Sequence, residues 1–111
     1  MDIAKTLQAR PASRSCALID FDTAEVFVGL GGNGKFLLVT GERATVSMRV
    51  ELRPLVYVTQ PDYWGIEVVG CVSGIVLPQT APYAETLEIS AVTGTKGIEV
   101  IGAGESRRID L

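Results

Sequence analysis

One stretch of the sequence has the glycine spacing of loops that bind nucleotide phosphates. It reads VGLGGNGKF and covers residues 28–36. Gly29, Gly31 and Gly34 have the G-x-G-x-x-G spacing of a dinucleotide-binding loop, and residues 29–35 read G-x-x-x-x-G-K, which is most of a phosphate-binding loop. In both loops the phosphates lie on free backbone N–H groups at the start of a helix, where the helix dipole is positive. The chemistry therefore requires a helix that begins at the glycines.

The residues after the glycines predict a strand instead of that helix. KFLLVT, residues 35–40, is a short apolar run rich in strand formers. Phe36 also stands where a phosphate-binding loop needs a Ser or Thr hydroxyl for magnesium. Two apolar runs separated by GGNG are typical of a hairpin, because Gly and Asn supply the positive φ angles of tight turns. We therefore predict a hairpin, with no nucleotide and no other cofactor; a weak anion contact to the N–H groups of the turn is the alternative.

Three acidic residues, Asp20, Asp22 and Glu25, lie close together in the segment IDFDTAE. Asp20 and Asp22 would share one face of a strand, and together with Glu25 they could hold a hard cation. The segment lacks the glycine turn and the full ligand set of a calcium loop. We therefore predict solvated carboxylates and no metal site, although the sequence leaves cation binding by these three residues undecided.

The absence of histidine limits the catalytic chemistry of the chain. It removes the commonest general base, the commonest metal ligand and the familiar Ser/His and Cys/His nucleophile pairs. Glu67 and Glu99 could form a carboxylate pair only if their strands are neighbours. Since no other catalytic constellation is recognisable, the sequence favours a protein that is not an enzyme.

The two cysteines, Cys16 and Cys71, are each surrounded by apolar or small residues. The first ten residues lack the apolar core of a secretory signal, and no run is long enough to span a bilayer. These features predict a cytoplasmic protein that does not enter a membrane. Disulfides are rare in that compartment, so we predict two free, buried thiols, with a disulfide as the alternative.

The charge balance argues against nucleic acid as a partner. The net charge is −3, and the 10 basic residues are scattered rather than clustered. Proteins that bind nucleic acid usually carry a basic patch that neutralises phosphates. Hydrophobic residues make up 47% of the chain, which is enough to build the core of one domain of this length.

The hydrophobic pattern predicts an all-β chain. The one helix predicted covers residues 2–9, within an N-terminal segment 1–13 that is either this short helix or mobile. The predicted strands cover residues 15–21, 24–30, 35–40, 44–53, 55–60, 63–77, 85–92, 97–102 and 106–111. About eight short strands with glycine-rich turns indicate a single-domain antiparallel β-sandwich or small β-barrel over residues 1–111. The similar words GIEVVG (65–70) and GIEVIG (97–102) predict equivalent strands in one sheet.

The long predicted strand 63–77 is apolar on both faces. If Ile66, Val68, Val72 and Val76 point inward, strand alternation places a second apolar set outward. That outward set consists of Val69, Cys71, Ile75 and Leu77. An exposed patch of this kind usually marks an interface, so the sequence predicts a non-catalytic binding or assembly module that forms a homo-oligomer or binds a protein partner through this sheet face.

The alternative function uses three aromatic residues. Tyr63, Trp64 and Tyr83 lie near prolines at the ends of predicted strands. In that position they could line the mouth of a small-molecule-binding β-barrel, or of an enzyme built on one. We prefer the assembly module, because a strand with two apolar faces needs two covers and a small sandwich offers one.

Overall fold

The computed structural model describes residues 15–111, and these residues form eight strands. The predicted helix 2–9 and the N-terminal segment 1–13 lie outside the described residues. The strands are β1 (Ser15–Leu18), β2 (Thr23–Val28), β3 (Lys35–Arg43), β4 (Arg49–Pro54), β5 (Tyr63–Val72), β6 (Ala81–Glu88), β7 (Gly97–Ile101) and β8 (Ser106–Asp110). Within this part of the chain, no helix is long and apolar enough to cross a membrane.

The strands form two sheets that pack as a small β-sandwich, which confirms the predicted all-β fold class. Sheet I contains β1, β4, β5, β7 and β8, and sheet II has the order β2-β3-β6. Strand β5 is the centre of sheet I: β4 pairs along one of its edges, while β7 and then β1 share the opposite edge. The sheets do not close into a barrel, so the sandwich is the correct one of the two predicted architectures.

One pair of strands departs from the antiparallel prediction. Strands β5 and β7 are parallel, with Ile66 opposite Val100 and Glu67 opposite Ile101. These are the strands that carry the similar words GIEVVG and GIEVIG, and their place in one sheet was predicted. The parallel pairing is possible because the connection between them runs through β6 in the other sheet, which returns the chain to the starting end.

The core lies between the two sheets and follows from strand alternation. In β3, Leu37, Val39 and Gly41 are buried while the residues between them are more exposed. The fully buried side chains at the centre are aliphatic: Leu37, Val39, Ile66, Val68, Ile89, Ile98 and Val100. Both sheets therefore contribute one apolar face to a common interior.

The predicted strand 44–53 forms only in its second half. The hydroxyl of Thr45 donates to the Leu77 carbonyl at 2.6 Å and accepts the backbone N–H of Ser47 at 3.3 Å. Side-chain bonds of this kind compete with a strand ladder, so the chain turns here and β4 begins at Arg49. Thr45 is consequently buried, whereas in a strand it would alternate with the apolar Ala44 and Val46 and face water.

Other predicted strand boundaries also move. Strand β4 ends at Pro54, on the edge of sheet I, and residues 55–60 do not resume it because proline has no N–H for the ladder. Strand β5 ends at Val72, and residues 73–80 form an exposed loop. Strand β6 begins at residue 81 instead of 85, because an edge strand of sheet II tolerates Pro82.

Candidate functional site

The glycine-rich stretch forms the predicted hairpin between β2 and β3. Gly31, Gly32 and Gly34 have φ angles of 70°, 76° and 77°, which side chains disfavour. The N–H of Gly29 donates to the Gly34 carbonyl at 3.0 Å, and β3 follows at once without a helix. The hairpin is confirmed, and the helix N-terminus that a nucleotide site requires is replaced by a strand.

Three loops meet at the end of the sandwich that carries this hairpin. They are residues 29–34, 55–62 and 89–96, and we call them together the loop end. The N–H of Lys35 donates to Ser90 Oγ at 3.3 Å, and Gln60 Nε2 donates to the Thr93 carbonyl at 2.8 Å. The hairpin and the loop 89–96 border an open cavity of about 430 Å³ lined by Val28, Gly32, Gly34, Lys35, Ser90 and Thr93. Hydrogen bonds therefore hold the three loops together.

The loop end exposes several large apolar side chains. Leu30 is 95% exposed, Val56 is 95% exposed and Val58 is 106% exposed, which is as much as in an extended peptide. The residue between the two valines is anchored: Tyr57 Oη accepts the N–H of Gly65 at 3.1 Å. The ring of Tyr57 also packs edge-on against Trp64, with centroids 5.1 Å apart. An anchored backbone thus presents Val56 and Val58 to solvent.

The structure does not bring the three predicted ligand-binding aromatics together. Tyr63 is on the outer face of sheet I, where its hydroxyl donates to Asp110 Oδ1 at 2.5 Å. Trp64 packs against the core, and its Nε1 donates to the Leu55 carbonyl at 2.8 Å. Tyr83 is buried in the other sheet, so the three side chains do not form a common mouth.

Tyr83 joins β6 to the segment between β1 and β2. Its hydroxyl donates to the Asp20 carbonyl at 2.8 Å, and its ring lies directly over Gly41, where a side chain would collide with it. Burial raises the pKa of Tyr83 to about 12, and the charges of Asp22 and Asp20 act in the same direction. Tyr83 is therefore a core residue with a satisfied hydroxyl.

The acidic residues at positions 20, 22 and 25 do not gather around a common point. Asp20 Oδ1 accepts the N–H of Gly104 at 3.0 Å, which ties it to the β7–β8 hairpin. Among residues 15–111, no group of three Asp, Glu, Cys or His side chains is placed to hold a metal ion. The carboxylates of Glu67 and Glu99 lie on neighbouring strands, but Glu99 pairs with Arg108 at 3.8 Å.

The four predicted interface residues do not share one exposed face. Val69 is 5% exposed and Cys71 is 3% exposed, so both are buried within the single chain. The register places Val69 between Leu18 of β1 and Glu51 of β4, whose longer side chains flank it. Ile75 and Leu77 are exposed, but they lie in the loop after β5. The predicted exposed patch on strand 63–77 is therefore wrong, because neighbouring strands flank its centre and the strand ends early.

The prediction of two free thiols is also wrong, because Cys16 and Cys71 form a disulfide. They are direct partners in the antiparallel pairing of β1 with β5. Their Cα atoms are 4.1 Å apart, which is close to the spacing of a non-hydrogen-bonded pair. Sequence reasoning missed the bridge because a separation of 55 residues gives no indication of which strands are neighbours.

A charged residue that sequence reasoning did not single out contacts this disulfide. Arg53 Nη2 lies 3.5 Å from the sulfur of Cys71 and 4.0 Å from that of Cys16. Its Nε donates to Glu51 Oε1 at 2.9 Å, which orients the guanidinium. Alternation along β4 places Arg49, Glu51 and Arg53 on one face of the strand. The sequence does not show that this face lies beside the disulfide, because that depends on the pairing of β4 with β5.

Comparisons with protein-family models, with curated proteins and with solved structures found no match to this chain.

Proposed function

We propose that this chain is a non-catalytic binding and assembly module that contacts a second copy of itself through the loop end. The single observation that supports it is the pair of almost fully exposed valines, Val56 and Val58, on an anchored backbone. Exposed aliphatic side chains that cluster on one surface usually mark an interface. This surface replaces the sheet face that the sequence predicted.

The loop end is suited to binding because its backbone is held in place. Leu55 donates its N–H to the Gly65 carbonyl at 2.9 Å, and Thr95 donates its N–H to the Pro61 carbonyl at 2.9 Å. A surface that is already ordered loses little conformational entropy on association. The apolar side chains can therefore contribute most of their burial free energy to affinity.

A second copy is the occupant that the charges at the loop end favour. Lys96 Nζ lies 3.9 Å from Asp62 Oδ2, and both side chains are exposed in the loops that form the loop end. A two-fold interface places the same patch on both partners, so a border with both signs of charge is complementary to itself. An apolar centre with a polar border is the usual anatomy of an interface.

The test is the molar mass in solution by size exclusion with light scattering. We expect the wild type to be a dimer and the Val56→Asp, Val58→Asp double variant to be a folded monomer. Ile75→Asp, at the opposite end of the sandwich, is the matched control and should leave the dimer intact. A monomeric wild type, or equal dissociation by the control, would contradict the proposal.

A small-molecule function is the second candidate, and the cavity beside the hairpin favours it. Its volume of about 430 Å³ is within the range of small-ligand sites, and Lys35, Ser90 and Thr93 supply polar groups. Fragment screening by NMR tests it: bound fragments should perturb the amide signals of Ser90 and Thr93, and Lys35→Ala should weaken the polar ones. The aromatic mouth of Tyr63, Trp64 and Tyr83 is not assembled, so this candidate rests on the cavity alone.

We place the proposed module in the cytoplasm. This localisation requires that the Cys16–Cys71 disulfide be reduced and re-formed there. Structural disulfides are rare in the cytoplasm, where those that occur are usually transient and redox-active. Alkylation of thiols in intact cells, followed by mass mapping, should therefore find Cys16 and Cys71 in both reduced and oxidised forms. A fully oxidised population would contradict a cytoplasmic localisation.

A further inference from the structure

We propose that the Cys16–Cys71 disulfide is a thiol-exchange site, in which a reducing thiolate attacks the sulfur of Cys16 and Arg53 stabilises the departing thiolate of Cys71. The inference concerns the outer face of sheet I and is independent of the contact at the loop end. It adds a chemical activity to a chain whose proposed function is binding.

The two sulfurs differ in access, which determines the one that is attacked. Cys16 belongs to β1, all four residues of which are exposed. Cys71 is 3% exposed and lies in the central strand, between β1 and β4. An external thiolate therefore reaches the Cys16 sulfur from solvent, and the Cys71 sulfur becomes the leaving group.

Arg53 is placed to stabilise the leaving group. Its Nη2 is nearer to the Cys71 sulfur, at 3.5 Å, than to the Cys16 sulfur, at 4.0 Å. A guanidinium keeps its charge at all relevant pH values, and an adjacent positive charge lowers the pKa of a thiol. A thiol of lower pKa leaves a disulfide faster. The contact therefore favours cleavage toward Cys71.

Within residues 15–111, the charged side chains that β4 and β5 place near the disulfide are two arginines and two glutamates. The register places Arg49 directly opposite Cys71 and Glu67 opposite Arg53, while Glu51 lies between the two arginines on β4. Strand β1 contributes no charged side chain, since it reads SCAL. The guanidinium of Arg53 contacts the Cys71 sulfur. Glu51 holds it in place, with Glu51 Oε1 2.8 Å from Arg53 Nη2.

The exchange needs two thiols from a reductant of the small-thiol or dithiol class. The first thiolate forms a bond to the Cys16 sulfur, the Cys16–Cys71 bond breaks, and its electron pair stays on Cys71. The second thiolate attacks the external sulfur of the mixed disulfide and releases Cys16 as a thiolate. Each protein thiolate takes up a proton from solvent, so two external thiols are oxidised to a disulfide while the protein disulfide is reduced to two thiols.

The test compares rates of reduction by an anionic thiol, mercaptoethanesulfonate, and a cationic thiol, cysteamine, near neutral pH. We expect Arg53→Gln to slow reduction by about threefold to tenfold with both thiols, because leaving-group pKa affects the rate of exchange. Arg108→Gln, on β8 of the same sheet, is the matched control and should behave as wild type. Equal rates in wild type and Arg53→Gln, or slowing with the anionic thiol alone, would overturn the role of Arg53.

A second measurement identifies the attacked sulfur and does not depend on the Arg53 variant. Wild type is treated briefly with cysteamine, quenched with iodoacetamide and mapped by mass spectrometry. We expect cysteamine on Cys16 and the alkyl group on Cys71; the opposite pattern would overturn the proposal. If Arg53→Gln does not fold, Arg53→Lys replaces it, and because it keeps a positive charge beside Cys71 it should be reduced by both thiols at close to the wild-type rate.

Discussion

The hydroxyl of Tyr83 in β6 donates a hydrogen bond to the Asp20 carbonyl, which belongs to the connection between β1 and β2. The bond fixes a segment that passes from sheet I to sheet II. Because Tyr83 is buried, removal of its hydroxyl leaves the carbonyl partner without a bond in a place of restricted access to water.

Tyr83→Phe is therefore expected to lower the free energy of unfolding by about 1–2 kcal/mol. Tyr63→Phe removes a hydroxyl that is hydrogen-bonded at an exposed position, and it should cost clearly less. Urea unfolding followed by circular dichroism measures both. Equal losses for the two variants would mean that the Asp20 contact contributes nothing specific.

The same tyrosine predicts a loss of stability at high pH. The pKa of Tyr83 is raised from 10.0 to about 12 in the folded chain, so its stabilising contribution is complete below the unfolded pKa and is lost as pH rises through the folded pKa. Wild type should lose stability relative to Tyr83→Phe between pH 10 and about 12. Urea midpoints at several pH values test this, and parallel curves for the two proteins would refute it.

The hydroxyl of Thr45, which is buried outside the strands, is expected to contribute to the free energy of unfolding. Thr45→Val keeps the shape of the side chain but removes the donor to the Leu77 carbonyl and the acceptor of the Ser47 N–H. We expect a loss of about 1–2 kcal/mol. Thr23→Val, where the hydroxyl bonds to Thr40 at an exposed position, is the control and should change stability by less.

The disulfide predicts a large effect of reduction on global stability. It closes a loop between residues separated by 55 positions, so the Cys16→Ser, Cys71→Ser double variant should lose about 2–4 kcal/mol. Wild type in excess reductant should show the same unfolding midpoint as this variant. If reductant leaves the midpoint of wild type unchanged, the bridge is absent from the protein in solution.

The hairpin predicts the absence of nucleotide binding. Because β3 follows the glycines where a nucleotide site requires a helix, ATP, GTP and NAD should leave the melting temperature unchanged at about millimolar concentrations. A saturable increase that disappears in Lys35→Ala would show that the turn binds phosphate despite its geometry.

Local patterns were sufficient to predict some of these features. Gly and Asn in the GGNG turn supply positive φ angles, and the apolar residues in 97–101 are typical of a strand. Both features were therefore predictable from neighbouring residues. Thr45 was not, because its partner Leu77 is 32 residues away and turns a strand-like pattern into a loop. The contact of Arg53 with the disulfide was hidden for the same reason: it depends on which strands lie beside β5.

The alternation of the chain between the sheets determines how the sandwich can come apart. Within residues 15–111 the chain passes from sheet I to sheet II after β1 and after β5, and back again after β3 and after β6. Neither sheet is therefore built from one continuous segment, and a cut in any of the four loops from the β2–β3 hairpin to the β5–β6 connection leaves strands of both sheets on each fragment. We expect calorimetry to show one cooperative transition, and a single proteolytic cut in any of these four loops should leave neither sheet whole on one fragment.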